Sequence, residues 1–270
     1  MTDIGVKLIL FKDLYEIGSK KLIDYNSEEF KVLPDDCITF SYTSGTTGPP
    51  KGAMISHKNF ASFMGAQRVN KDCNFQPTDV ALSYLPLPHI LEREFDYALL
   101  ASGARIIFFS GDVQKLKDDL AIVKPTVFLS VPRLFSRFYD VIKGKFNDLQ
   151  GFTKTALNYA LKTKLDNLQS TGAYTHNIYD RVFFNKTKEA LGGRVRVMIS
   201  GSAPLLPEVQ NLLKVCMCCP LVEGYGQTET TGAITISDSD DPVVRHVGGP
   251  VVTNVLYRPV LSSNLWIFPR

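Results

Sequence analysis

The stretch Tyr42–Gly52, YTSGTTGPPKG, decides the fold reading of this 270-residue chain. It sets four Ser/Thr hydroxyls (Thr43, Ser44, Thr46, Thr47) and three glycines (Gly45, Gly48, Gly52) between the apolar run Cys37–Phe40 and a cation, Lys51. Glycines let the backbone turn and approach a ligand closely. Exposed N–H groups and hydroxyls in such a turn form an anion cradle, to which Lys51 adds a full positive charge. The stretch therefore reads as a polyphosphate-binding loop. It is not a Walker loop, which needs GxxxxGK[ST]: five on from Gly45 stands Pro50, and Lys51 is followed by Gly52. Pro49 and Pro50 also stiffen the approach to the lysine. The plain alternative is a flexible Gly/Thr turn without a ligand, and the ordered run ending in PKG argues against it.

Composition narrows the class. Hydrophobic content of 44% and charged content of 21% are those of a globular protein with ample length for a core. A net charge of +3 is too small to argue for nucleic acid or a membrane surface as partner. No apolar run approaches the ~20 residues of a spanning helix, and the N-terminus MTDIGVKLILF reads as no signal peptide. Five cysteines, Cys37, Cys73, Cys216, Cys218 and Cys219, are an odd number that fits a reducing interior better than a disulfide framework. The cluster Cys216–Cys219 lies in the apolar run VCMCCPLV without a nearby histidine, so soft packing is favoured over a metal site.

Short apolar runs alternate with amphipathic stretches, the pattern of an α/β protein with a mainly parallel sheet flanked by helices. Arg105–Phe109, RIIFF, reads as a buried strand. Asp112 caps a helix that stops at Lys124 before Pro125; Thr126–Ser130 is the next strand, and Pro132 suits the first turn of the following helix. Residues 150–191 are helix-rich, with Leu157, Leu161, Leu165 and Leu168 at apolar positions. Arg194–Ile199 alternates toward GSAP at 201–204, and a further helix runs from about Pro207 to Val215. GSAP and EGYGQTET (223–230) are expected to be loops at the carboxyl ends of strands, where open α/β sheets place their ligands. The glycines flanking Tyr225 predict a turn that presents its ring. Glu229 is a hard oxygen donor suited to Mg²⁺ on phosphates; taken alone it also reads as a solvated loop carboxylate. From Val251 to Arg270 neither period is sustained, which fits an ordinary apolar tail or one foreign to the fold.

The phosphate loop and YGQTE resemble those of the adenylate-forming superfamily. LSYLPLPHILERE (82–94), FFSGDVQKLKDDL (108–120), KPTVFLSVPRLFSRFYD (124–140), VRVMISGSAPL (195–205) and CPLVEGYGQTETTG (219–232) are similar to its long-chain fatty-acid–CoA ligase branch, from about Leu8 to Pro250. The resemblance implies part of that fold's large N-terminal domain: a lead-in over 1–35, an incomplete AMP-binding domain over 36–250 and a tail over 251–270. It also implies site roles. Thr43, Ser44, Gly45, Thr46, Thr47, Gly48 and Lys51 would wrap the β- and γ-phosphates of ATP. Gly201, Ser202 and Ala203 would flank the adenine, with Glu223, Gly224 and Gly226 nearby and Tyr225 stacked on the base. Thr228 would touch the α-phosphate, and Glu229 with Thr43 would hold Mg²⁺. His89, in PLPH, stands at an acyl-site position, while a lone histidine after a strand also reads as structural.

The implied reaction joins a fatty acid to CoA through an acyl-adenylate, with ATP, Mg²⁺ and CoA required. Alternatives are a medium-chain or other acid ligase, or a non-catalytic nucleotide-binding remnant. Partners are expected to be small molecules and not nucleic acid. The expected setting is intracellular, on the cytosolic face of the endoplasmic reticulum or another membrane for a longer parent, with this chain itself soluble. The sequence has no aspartate-containing TGD segment, no Arg-Lys hinge and no lid domain with its catalytic lysine. An internal piece of a ligase, weakly active or inactive, is the expectation.

Overall fold

The computed structural model describes residues 9–21, 31–43 and 49–251. A short helix, α1 (Phe11–Ser19), precedes a hairpin of β1 (Cys37–Thr43) and β2 (Lys51–Ser56). Then come α2 (His57–Val69), β3 (Val80–Ser83), α3 (Ile90–Ala101), β4 (Arg105–Phe108), α4 (Leu116–Val123), β5 (Val127–Ser130), α5 (Pro132–Asn147) and α6 (Gly151–Thr171). Two short helices, α7 (Asn177–Tyr179) and α8 (Asn185–Lys188), flank one π-helical turn and lead to β6 (Val197–Ser200) and α9 (Pro207–Met217). The described chain closes with β7 (Leu221–Gln227), β8 (Gly232–Ile236) and β9 (Gly249–Pro250). α1 buries none of its residues.

Local chemistry sets the boundaries. Ser56 and Asn59 form a capping box at the start of α2, satisfying donors that the first turn leaves open. Asp112 accepts from Gln114 N–H at 2.9 Å, α4 ends where Lys124 turns left-handed (φ 50°) before Pro125, and Pro132 occupies the first turn of α5.

Three strands read VALS, VFLS and VMIS, each four residues long and entirely buried. Their alternation explains the layering. Leu82, Phe128, Met198 and Leu221 join one core with α4, α5, α6 and α9; Ala81, Leu129, Ile199 and Val222 join another with α2 and α3. A sheet covered on both faces has no polar face, so its strands are near-continuous apolar runs. Each fully buried Leu or Phe adds ~1.5–3 kcal/mol.

β3 pairs with β4 in parallel, as do β5 with β6 and β6 with β7. The hairpin β1–β2 and the pairs β7–β8 and β8–β9 are antiparallel. The sheets are therefore mixed, with parallel strands at the centre. Thr126 N–H donates to Val80 O at 2.8 Å, tying the two parallel groups together just before β5.

Two sequence expectations change. Arg105–Phe108 is a strand, but not a buried one: β4 is an edge pairing only with β3 among the described residues, and Phe108 is 74% exposed. The segment EGYGQ is not a loop. It lies within β7, because β8 folds back beside it and captures its backbone groups, with Tyr225 opposite Thr235. The cysteine cluster packs as expected, Cys216 and Cys219 being buried in the helical core. Residues 252–270, most of the expected tail, lie outside the described residues.

One ionic knot aligns the parallel strands. Asp79, Thr126 and Arg196 each stand immediately before a strand. Arg196 grips both Asp79 oxygens, Nε to Oδ1 at 2.9 Å and Nη2 to Oδ2 at 2.6 Å, and Thr126 Oγ1 donates to Oδ1 at 2.7 Å. Burial pushes the Asp79 carboxyl up, but the Arg196 pair and the Thr126 bond outweigh it and hold it below the usual carboxylate range. Its contribution is therefore complete above the ordinary carboxylate pKa and is lost as pH falls through the lowered one. Arg196→Ala leaves a buried, unpaired carboxylate and should cost about 3 kcal/mol in urea unfolding at neutral pH. The gap between wild type and variant should shrink as pH is lowered below ~4, the unperturbed carboxylate value; a pH-independent gap would contradict the assignment.

Candidate functional site

Two of the phosphate-loop candidates, Thr43 and Lys51, stand at the paired ends of β1 and β2. Thr43 ends β1 directly opposite Lys51, which begins β2, so the intervening segment leaves and returns at one point. Ser44, Gly45, Thr46, Thr47 and Gly48 lie outside the described residues. Lys51 is exposed. The hairpin is held by polar bonds to the PLPH segment and to α3: Ser41 Oγ donates to Pro88 O at 3.1 Å, and Arg93 Nη1 of α3 donates to Thr39 Oγ1 at 2.7 Å. Arg93 and Ser41 are positioning residues that sequence reasoning missed.

β2 lies against the 3-10 turn Thr228–Thr230, which brings Lys51's strand beside Thr228 and Glu229. Glu229 is exposed, and its carboxylate makes no hydrogen bond to a described residue. Thr43 and Glu229 are both hard oxygen donors, a set that fits a magnesium ion bound to phosphate.

The β7 residues just before this turn line a cavity of about 70 Å³. Gly201, Ser202, Gly224, Tyr225 and Gly226 line it on one side and His89 on another. Phe63, Phe75, Phe95, Leu129, Ile199 and Ile236 make its wall apolar. Its volume is about half that of an engineered apolar cavity that holds benzene, ~150 Å³, so a longer occupant requires the wall to open. Ser202 sits at φ 73°, a conformation non-glycine residues adopt at a cost and keep where surroundings impose it. Ala203 is exposed and Thr228 half-buried, both outside the cavity lining.

Two predicted residues do structural work as well. Glu223 is buried; its Oε1 accepts from Leu205 N–H at 3.0 Å, tying the GSAPL loop to β7, and burial raises its carboxyl above the ordinary range. His89 caps α3, Nδ1 accepting from Leu91 N–H at 3.2 Å, and lines the cavity too. Tyr225 is 46% exposed, with its hydroxyl accepting from Gln227 Nε2 at 3.1 Å. Its ring is presented from a strand, not from a turn. The glycine beside it serves backbone approach: a Cβ on Gly226 would lie 1.9 Å from Gly232 O.

α3 contributes the residues least visible beforehand. Glu92 Oε1 accepts from Tyr84 N–H at 3.0 Å, and burial, the largest cause, pushes its carboxyl up to about 7. Glu94 lines the cavity, and burial raises it well above the carboxylate range. A signal existed: Glu94 falls one helical turn from Ile90 and Ala98, in the apolar stripe.

The profile of the AMP-binding enzyme family matches residues 6–258. The chain belongs to that family. Among its relatives are long chain acyl-CoA synthetase 7, peroxisomal, of Arabidopsis thaliana, 39% identical over 91% of this chain and 34% of that protein. Long-chain-fatty-acid–CoA ligase 1 of Homo sapiens is 40% identical over 93% of this chain and 36% of that protein. The chain thus spans about a third of the length of the curated relatives it matches. ATP-bound MatB from Rhodopseudomonas palustris has the same fold over 81% of this chain and 35% of its own, with a TM-score of 0.55 and 28% identity. The adenylation domain of a carboxylate reductase from Mycobacterium chelonae aligns over 76% of this chain and 28% of its own, with a TM-score of 0.58 and 26% identity. As an AMP-binding enzyme fold, the chain carries its cavity at the carboxyl ends of parallel strands.

Gly226→Ala forces β7 and β8 apart and should lower unfolding stability by ~1–3 kcal/mol or more. At Gly224 the nearest atom to an added Cβ is Thr235 O at 3.5 Å, an ordinary contact, so Gly224→Ala should cost less. Urea midpoints of the two variants check this; equal losses would contradict the close-approach argument.

Proposed function

We propose that this chain is the ATP- and acyl-binding part of a long-chain fatty-acid–CoA ligase. The observation that carries the reading is one juxtaposition: a cation-bearing strand pair beside a carboxylate-bearing turn, which directly follows the β7 residues that line an apolar cavity. In this reading the domain of function is 36–250, with 1–35 leading in and 251–270 outside it. The acid lies in the cavity beside Gly201 to Tyr225 with its carboxylate toward Thr228, and the triphosphate extends toward Lys51 and residues 43–48. One carboxylate oxygen attacks the α-phosphorus and pyrophosphate leaves; the thiol of CoA then attacks the acyl carbonyl and AMP leaves.

Such a step needs alignment and charge neutralisation rather than covalent help from the protein. Lys51 neutralises the β- and γ-phosphates, and Thr228 binds the α-phosphate. Thr43 and Glu229 would hold Mg²⁺, which supplies charge neutralisation on the phosphates. Tyr225 and Gly201–Ala203 enclose the adenine, with Glu223 acting through the GSAPL loop it holds. His89 closes the acyl side. The relatives' names support the long-chain assignment, and one of them is a peroxisomal enzyme. An intracellular setting, at the endoplasmic reticulum or another membrane for a longer parent, is part of the same proposal. No helix among the described residues is long and apolar enough to cross a membrane. The cavity's small volume favours a second reading at the acyl end only, a medium-chain acid.

Calorimetric titration of the chain with ATP and magnesium tests the nucleotide half. Lys51→Ala should weaken binding ~10- to 150-fold, the worth of a charge-assisted contact of ~1.5–3 kcal/mol. Glu229→Gln should abolish the dependence on magnesium, while Thr47→Ala does less because neighbouring hydroxyls and amides share the phosphate. Unchanged affinity in Lys51→Ala, or unchanged metal dependence in Glu229→Gln, would overturn it. A saturated-acid series from acetate to octadecanoate decides the acyl half, and preference for acetate or an aryl acid would defeat both chain-length readings.

A further inference from the structure

The cavity wall is apolar except at a few points, and those points share a property. Glu94 lines the cavity, and its Oε2 accepts from Ala233 N–H at 3.1 Å, the one hydrogen bond this carboxyl makes with a described residue. The carboxyl is pinned against β8, since a Cβ on Gly232 would lie 1.1 Å from Oε2. Burial raises its carboxyl well above the ordinary range and so favours the neutral form, which offers an O–H donor as well as an acceptor oxygen. Gln67, on α2, lines the same cavity, and its side-chain oxygen is buried with no hydrogen-bond partner among the described residues. Ser200 Oγ, where β6 meets the cavity, is in the same condition.

Buried polar groups are normally paired, and each exception calls for an explanation. A plain hydrocarbon chain in this cavity satisfies none of these groups. A hydroxyl can do so: its proton goes to an amide oxygen and its lone pair accepts from a protonated carboxyl. We propose that the acyl chain taken by this cavity carries a hydroxyl group, bound by the Glu94 carboxyl and the Gln67 amide, and that Glu94 sets this preference. The inference rests on the acyl-site reading given above. It also names the competitor: a cavity of about 70 Å³ has room for a water making the same bonds, in which case a hydroxyl brings no advantage.

The test is equilibrium binding of hexadecanoate and its monohydroxy isomers to the 270-residue chain, read by displacement of a fluorescent fatty acid. At least one isomer should bind ten-fold or more tightly than hexadecanoate, because a site built to bond a hydroxyl discriminates against its absence. Glu94→Leu should bind that isomer and hexadecanoate alike, whereas Glu94→Gln, which still donates and accepts, should keep most of the difference. Circular dichroism verifies folding; if the leucine variant does not fold, the isomer series and the glutamine variant decide. Hexadecanoate binding without any isomer effect, or an isomer effect that survives Glu94→Leu, overturns the inference and leaves the acyl site standing. Failure of every acid to bind sinks both.

Discussion

The bidentate pair between Arg196 and Asp79, with Thr126 bonded to the same carboxylate, is the constraint on which the rest of the structure depends. Each of the three residues stands one position before a strand, and backbone bonds continue the alignment, Arg105 N–H to Asp79 O at 2.9 Å and Arg196 N–H to Thr126 O at 2.7 Å. Parallel strands that start level and have equal length also end level. β5 and β6 accordingly finish together at Ser130 and Ser200, and β3, tied to them through Asp79, ends at Ser83. The crevice beyond them is thus set from the opposite end of the sheet. An uncompensated carboxylate here would cost several kcal/mol, whereas the pair's net gain over an apolar replacement is small; its value lies in register.

Polar and apolar duties are separated in the site that results. Lys51 and Glu229 are exposed and Thr228 is half-buried, so in the proposed reading a triphosphate there keeps much of its hydration. Phe63 of α2 and Phe95 of α3 line an apolar cavity, where in the same reading a hydrocarbon chain gains from burial. GSAP and the glycine-rich part of β7 are runs of small residues, which under the proposed function let a nucleotide reach the backbone. Glu223 joins these two segments through Leu205 N–H, so its removal acts on the loop as a whole.

Much of this arrangement is legible in the sequence. The strands at 127–130 and 197–200 and the helices after Pro132 and Pro207 follow from local rules of burial and capping. The misreadings have one cause, tertiary pairing. Glycines at 224 and 226 read as a turn, but β8, arriving from later in the chain, makes them strand positions. RIIF has the composition of a buried strand, and only the sheet order places it at an edge. Glu94 looked like one acid among several in ILEREFD; helix geometry sends it inward while Glu92 turns to Tyr84 N–H.

The most direct measurement is a crystal structure of the chain with a hydrolysis-resistant acyl-adenylate mimic, an acyl sulfamoyl adenosine. The account predicts adenine between Gly201–Ala203 and Tyr225, the linkage beside Thr228, and the acyl chain entering the cavity past Gly201 toward Phe95 and Glu94. The mimic bound elsewhere, or with its acyl chain directed away from that cavity, would contradict it.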